Sequence, residues 1–274
     1  MNNDDTNGIR NLERMLRDPD IMETPPSSEV VAPGMLITLR PLEDDDPEDE
    51  TYLLAESAEE RAPGLDVELS ITKGPPAAAV RAVSDAVSVD LIVLCTDNTT
   101  TDAHTSLSEQ VLEDGKRSVL ALHPAGAERH AFGFDLSSGH RQPTLVPTDL
   151  TPDSLAAVDF AFDLARTLPL DLHLLHLVAH GGSGARHDRT VADIEQRLRA
   201  LIPADFAGKT GIHVRDGDPA AGIVKAAGEF SAACIVMGEH TQSPLRHWLT
   251  RDTSQAVLHI APCPVWYVPG RSAS

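Results

Sequence analysis

The sequence predicts an α/β protein made of two open parallel-sheet units in tandem. Three observations carry that prediction. Short apolar strands alternate with helix-length segments from Val67 onward, the pattern of a parallel sheet covered on both faces. A run in the first half returns near the end: DLIVLC from Asp90 aligns with ACIVMG from Ala233, and Val111-Leu112 with Val257-Leu258. Two copies of one unit account for 274 residues better than one large sheet. Finally, Val214 to Pro269 reads as turn, helix, buried strand, helix and closing strand, which is half of such a sheet. Its loop after Met237-Gly238 falls at the carboxyl end of a strand, where open α/β sheets bind ligands.

Residues 1–33 are polar and irregular, with a short helix expected around Ile9 to Leu16 and a break at Pro25-Pro26. The first unit is expected over residues 34–124. It opens with a strand at Met35 to Leu39, followed by the acidic run Asp44 to Glu50. Carboxylates favour the positive end of a helix, so that run predicts a helix from Tyr52 to Arg61. It lacks the spacing and the glycine of a calcium loop. The strand VELSI from Val67 comes next, then a helix after Gly74-Pro75-Pro76, and then a strand from Asp90 to Cys95. A helix through Leu107, Val111 and Leu112 and a strand from Ser118 to Leu122 close the unit. No strand before Met35 matches the first strand of the second copy, so the first β/α step of this unit is missing or rebuilt. Residues 125–140 lack period and read as a linker.

The second unit is expected over residues 141–270. It starts with the strand TLVPT from Thr144, and Thr151-Pro152-Asp153 then opens a helix as an N-cap followed by proline. That helix stops before Pro169. A strand from Leu172 to Val178 leads into the loop Gly181-Gly182-Ser183-Gly184, which lacks the Lys-Ser/Thr of a P-loop. Val191, Ile194, Leu198 and Leu201 then repeat at helical spacing. The strand IHVRD from Ile212 and the closing half complete five β/α steps.

Charge and motifs exclude several function classes. With 42 acidic against 22 basic residues the formal net charge is −20, which repels nucleic acid and anionic membranes. Only Lys73, Lys116, Lys209 and Lys225 are lysines. An acid-rich, lysine-poor chain fits a salt-accumulating cell, where ions screen its self-repulsion. No apolar run approaches the roughly 20 residues of a membrane span, and the first residues lack a signal peptide's order, so the expected location is the cytoplasm. Cys95, Cys234 and Cys263 make neither a disulfide framework nor a metal knuckle and are expected in the core. His173 and His176 lie three apart on a strand, hence on opposite faces, and cannot share a metal. No catalytic motif appears, so the chain is expected not to be an enzyme and to use no metal.

With those residues in view, the chain resembles a tandem universal stress protein. The matching stretches are LVPTDLTPDS, LHLLHLV, DGDPAAGIVKAA, ACIVMG and VLHIAPCPVWYVP, and a weaker likeness runs from Met35 to His123. The resemblance implies two Rossmann-like, adenine nucleotide alpha hydrolase-like domains of five parallel strands, the first one degenerate. It also implies that the strands ending each unit pair antiparallel as an internal pseudo-dimer; an incomplete first copy would in turn expose apolar surface for a second copy to cover in a homodimer.

ATP-binding members of this family carry a loop G-x2-G-x9-G-[ST] after the fourth strand and an aspartate after the first. Glycines let backbone N–H groups approach phosphates, and the hydroxyl adds a donor. By resemblance the nucleotide-contacting positions are Pro147, Thr148, Asp149, Val178, Met237, Gly238, Thr241, Arg251, Asp252 and Thr253. Asp149 and Gly238 fit the pattern. Thr241 and the Arg251-Asp252 pair stand where glycine and glycine-hydroxyl belong. His240, Arg246, His247 and Arg251 would line a solvated helix face, and the first copy's loop, Cys95 to Asp102, has no glycine. The reading is a non-catalytic cytoplasmic stress-response protein without the family's usual ATP binding and with no cofactor. The alternative is adenine-nucleotide sensing through Asp149 and an altered loop.

Overall fold

A computed structural model describes residues 40–41, 51–54, 70–73, 76–86, 89–95, 107–113, 116–122, 140–178, 185–239 and 251–270. The chain divides into two compact units, Met1–Phe132 and Gly133–Ser274. The expected helix around Ile9, the strand at Met35 to Leu39 and the linker 125–140 lie outside the described residues, but for His140.

In the first unit, β1 (Arg40–Pro41), β2 (Thr51–Leu54) and β3 (Ser70–Lys73) form an antiparallel sheet in that order. This corrects the expected helix from Tyr52, whose first residues instead pair with β3, Tyr52 opposite Thr72 and Leu53 opposite Ile71. An acidic run favours a helix start only locally, and a β-strand partner that far along the chain outweighs it. It also departs from the all-parallel sheet expected here. The remainder follows expectation: α1 (Pro76–Ala86), β4 (Leu91–Cys95), α2 (Leu107–Leu112) and β5 (Ser118–Leu122), with β4 and β5 parallel and paired from Leu91 opposite Ser118. Val80, Val89, Ile92, Leu94, Val111 and Leu120 form its core.

The second unit contains β6 (Gln142–Pro147), α3 (Pro152–Thr167), β7 (Leu170–Val178), α4 (Ala185–Ala200), β8 (Thr210–Asp216), α5 (Pro219–Glu229), β9 (Cys234–Glu239), α6 (Arg251–Ile260) and β10 (Val265–Pro269). All five strands run parallel in the order β10-β9-β6-β7-β8. This is the doubly wound arrangement, and the order reverses between β6 and β9. Helices α3 and α5 start where the sequence marks them. Thr151 accepts from the Ser154 N–H ahead of Pro152, and Asp218 accepts from the Ala221 N–H, at 2.9 Å, ahead of Pro219. Helix α3 ends at Leu168, which is extended because Pro169 follows.

Small residues on α3 (Ala157, Ala161 and Ala165) let it lie close to the sheet, with Phe162 and Leu164 filling the space at its flanks. Trp266 of β10 packs on Phe160 of the same helix, ring centroids 5.0 Å apart. Cys234 and Cys263 are buried free thiols, as expected of core cysteines. Burial pushes the Cys263 thiol up to about 12, so it stays a thiol at neutral pH. The Cys95 side chain lies outside the described residues.

Candidate functional site

The switch point places the carboxyl ends of β6 and β9 side by side, and the two short segments there carry the residues the sequence singled out. Leaving β6, Pro147 ends the strand and Thr148 is fully buried. Asp149 then turns the chain. Its Oδ1 accepts from the Thr151 N–H at 3.1 Å, the Thr151 hydroxyl at 2.6 Å and the Ser154 hydroxyl at 2.7 Å. The Thr148 hydroxyl accepts from the Leu150 N–H at 3.0 Å and lies 2.9 Å from the Ser154 hydroxyl. These short polar side chains hold Leu150 at φ +65°, a left-handed conformation that a leucine adopts only at a cost. Chemically the segment is a hydroxyl-rich cap on α3 with a carboxylate at its centre.

A residue that sequence reading weighed only as a metal ligand anchors this turn from behind. His176 of β7, 9% exposed, points its Nδ1 at the Thr148 carbonyl, 2.8 Å away. The carbonyl can only accept, so Nδ1 carries the proton. Burial lowers the His176 pKa, and the Arg197 charge lowers it further against opposing contributions from the Thr148 bond and Asp149. The signal was present, because His176 continues the inward-facing series Leu172 and Leu174. A histidine on that apolar stripe demands a partner.

On β9, Gly238 sits against the start of α3. A Cβ there would stand 2.6 Å from the Asp153 carbonyl oxygen and 2.9 Å from the Ser154 Cα, so the missing side chain is what allows the helix backbone this close. Met237 and Glu239 lie on the opposite face of the strand from Gly238. Met237 is opposite Tyr267, whose hydroxyl donates to the Ser254 carbonyl at 2.9 Å. Glu239, 6% exposed, is a carboxyl at a strand end that the sequence reading did not single out. Burial and the neighbouring Glu239 raise the Tyr267 pKa well above the ordinary range.

The fold thus brings Pro147, Thr148 and Asp149 next to Gly238 through the start of α3. Val178 ends β7, and Thr253 is buried in the first turn of α6. Arg251 and Asp252 begin α6, with side chains outside the described residues, as is Thr241. His173 and His176 do face opposite sides of β7: His173 meets His213, whereas His176 meets Thr148. No group of three or more metal-ligating side chains occurs among the described residues. Among these residues no helix is long and apolar enough to cross a membrane.

The strand order, the switch-point turn and the close contact at Gly238 agree with an independent finding. Residues 140–269 match the universal stress protein family model. The second unit is therefore similar to a universal stress protein domain over that stretch. A universal stress protein from Archaeoglobus fulgidus DSM 4304 is similar in structure, with a TM-score of 0.50 and 20% identity over 72% of this chain and 67% of its own. Universal stress protein UspA from Lactobacillus plantarum gives a TM-score of 0.40 and 22% identity over 47% of this chain and 98% of its own. A universal stress protein solved in complex with cAMP gives 0.39 and 22% over 47% and 97%. At 20% identity the likeness to the Archaeoglobus fulgidus protein speaks to the fold alone. No curated protein matches the chain.

Proposed function

We propose that this is a non-catalytic, cytoplasmic stress-response protein of the universal stress type, in which the family's usual ATP binding has been lost. One observation carries the reading: the Oδ1 of Asp149 and the bare Cα of Gly238 are both engaged by the start of α3. The Oδ1 of Asp149 is held by three donors that cap α3, and Gly238 is needed for the approach of that helix. The sequence adds Arg251-Asp252 in place of the glycine and hydroxyl that would donate to phosphate.

The decisive experiment is calorimetric titration of the full chain with ATP, AMP and cyclic AMP in molar KCl. The expected outcome is no submillimolar binding by any of them, with no phosphate release from ATP. Submillimolar binding that survives in Gly238-containing wild type and is lost in Asp149→Asn would overturn this reading in favour of a nucleotide sensor. That second reading draws on the position of Asp149 at the switch point, beside the end of β9.

A further inference from the structure

On the face of the sheet opposite His176, two histidines meet in a way that no ligand chemistry of the switch point requires. The register sets His173 of β7 opposite Gly211 of β8, and Leu175 opposite His213, so both imidazoles rise on one face across the strand pair. His173 Nδ1 lies 3.1 Å from His213 Nε2. The ring centroids are 5.3 Å apart with planes 18° from parallel. That separation is about the nitrogen distance plus one ring radius at each end, so the rings meet edge to edge rather than face to face. Gly211 makes the space. A Cβ on it would stand 2.8 Å from His213 Nε2 and 3.0 Å from His173 Nδ1.

Phe230, the C-cap residue of α5, lies on both rings, with centroids 4.5 Å from each and planes at 19° to His173 and 36° to His213. Arg215 sits over the Phe230 ring at 5.1 Å and pairs with Glu229 at 2.5 Å. The pair therefore joins two strands, the second of them at the edge of the unit's strand order, to the end of the helix above them.

We propose that His173 and His213 share one bridging proton and form an acid-sensitive latch holding the C-terminal end of α5, through Phe230, on β7 and β8. An N···N contact at this distance holds one proton. With neutral rings, one facing nitrogen donates and the other accepts. A first added proton goes to an outward nitrogen and leaves the bridge intact. A second must enter the bridge itself, where two N–H groups face each other and two cationic rings repel. That step breaks the contact on which Phe230 rests. Charged groups around the pair set its position. Asp171 on β7 favours a charged His173, although Arg141 binds that carboxylate at 2.7 Å and the Lys209 N–H reaches it at 3.3 Å. Arg215 on β8 disfavours a charged His213. From α5 come Glu229, already paired with Arg215, and Lys225, 3.9 Å from Glu229. Burial lowers both histidine pKa values, and His173 lowers that of His213 as well. The latch is closed at neutral pH and opens as pH falls below the ordinary histidine value of 6.5.

The test is an imidazole nitrogen NMR titration of the full chain from neutral pH downward, following the Phe230 ring signals. The expected result is a nitrogen–nitrogen coupling across the bridge at neutral pH and two histidine steps at least tenfold apart in proton concentration, with the Phe230 signals moving at the second. In His213→Gln, which keeps a polar edge but cannot be charged, His173 titrates in one step and Phe230 does not move with it. Absence of the coupling, or two independent steps with Phe230 unmoved, would overturn the latch. The wild-type titration decides this by itself if the variant does not fold.

Discussion

Asp149 and Gly238 would both be assigned to a ligand from sequence, and each also has a structural role at the start of α3. Asp149 gathers three donors from its own turn, so Asp149→Ala should lower stability by about 2 kcal/mol. Asp149→Asn, which keeps an acceptor at Oδ1, should lose markedly less. Urea unfolding of the two variants checks this, and equal losses would show that charge rather than acceptance matters. Gly238→Ala drives a Cβ against backbone atoms, which cannot move as a side-chain tip can, and should cost about 1–3 kcal/mol. His176 adds a pH dependence. Its pKa is lowered in the fold, so its stabilising contribution is complete above the ordinary value of 6.5 and is lost as pH falls through the folded value. His176→Asn, whose amide replaces the Nδ1 donor without taking charge, should flatten part of the decline in unfolding midpoint between neutral and mildly acidic pH.

At the scale of elements, α3 does the positioning. Thr151 both caps the helix and donates its hydroxyl to Asp149, so Thr151→Ala should lower stability by about 1 kcal/mol and loosen the turn that presents Asp149. Amide exchange at Ser154 and Leu155 would register it. The second unit's elements were legible because each carries its own punctuation: Thr151-Pro152 and Asp218-Pro219 open α3 and α5, and Pro169 closes α3. The strand β2 was not. Its residues follow an acidic run that reads as a helix start, and its pairing with β1 and β3 makes it a strand. Local preference misleads where a partner distant in sequence supplies the hydrogen bonds.

For the whole molecule, the net charge of −20 is the dominant long-range quantity. Self-repulsion of that size favours the expanded chain, and salt screens it over the Debye length. The midpoint of thermal unfolding should therefore rise from low salt to molar KCl. An unchanged or falling midpoint would mean that the acidic groups are locally compensated. Ion pairs such as Arg141 with Asp171 and Arg215 with Glu229 have solvent-accessible partners and weaken with salt, so they oppose the rise without reversing it.

The sequence by itself determined the α/β class and the order of the elements from Thr144 onward. Each of these is written in neighbouring residues, through periodicity, caps and spacing. Only the tertiary structure decided that the Oδ1 of Asp149 accepts three donors from its own turn, that Gly238 admits the backbone of α3, and that Glu239 is buried. It alone paired His173 with His213 over Gly211. Those facts depend on strand order and register, which bring together residues tens of positions apart, and a shift of one residue would send every one of those side chains to the other face.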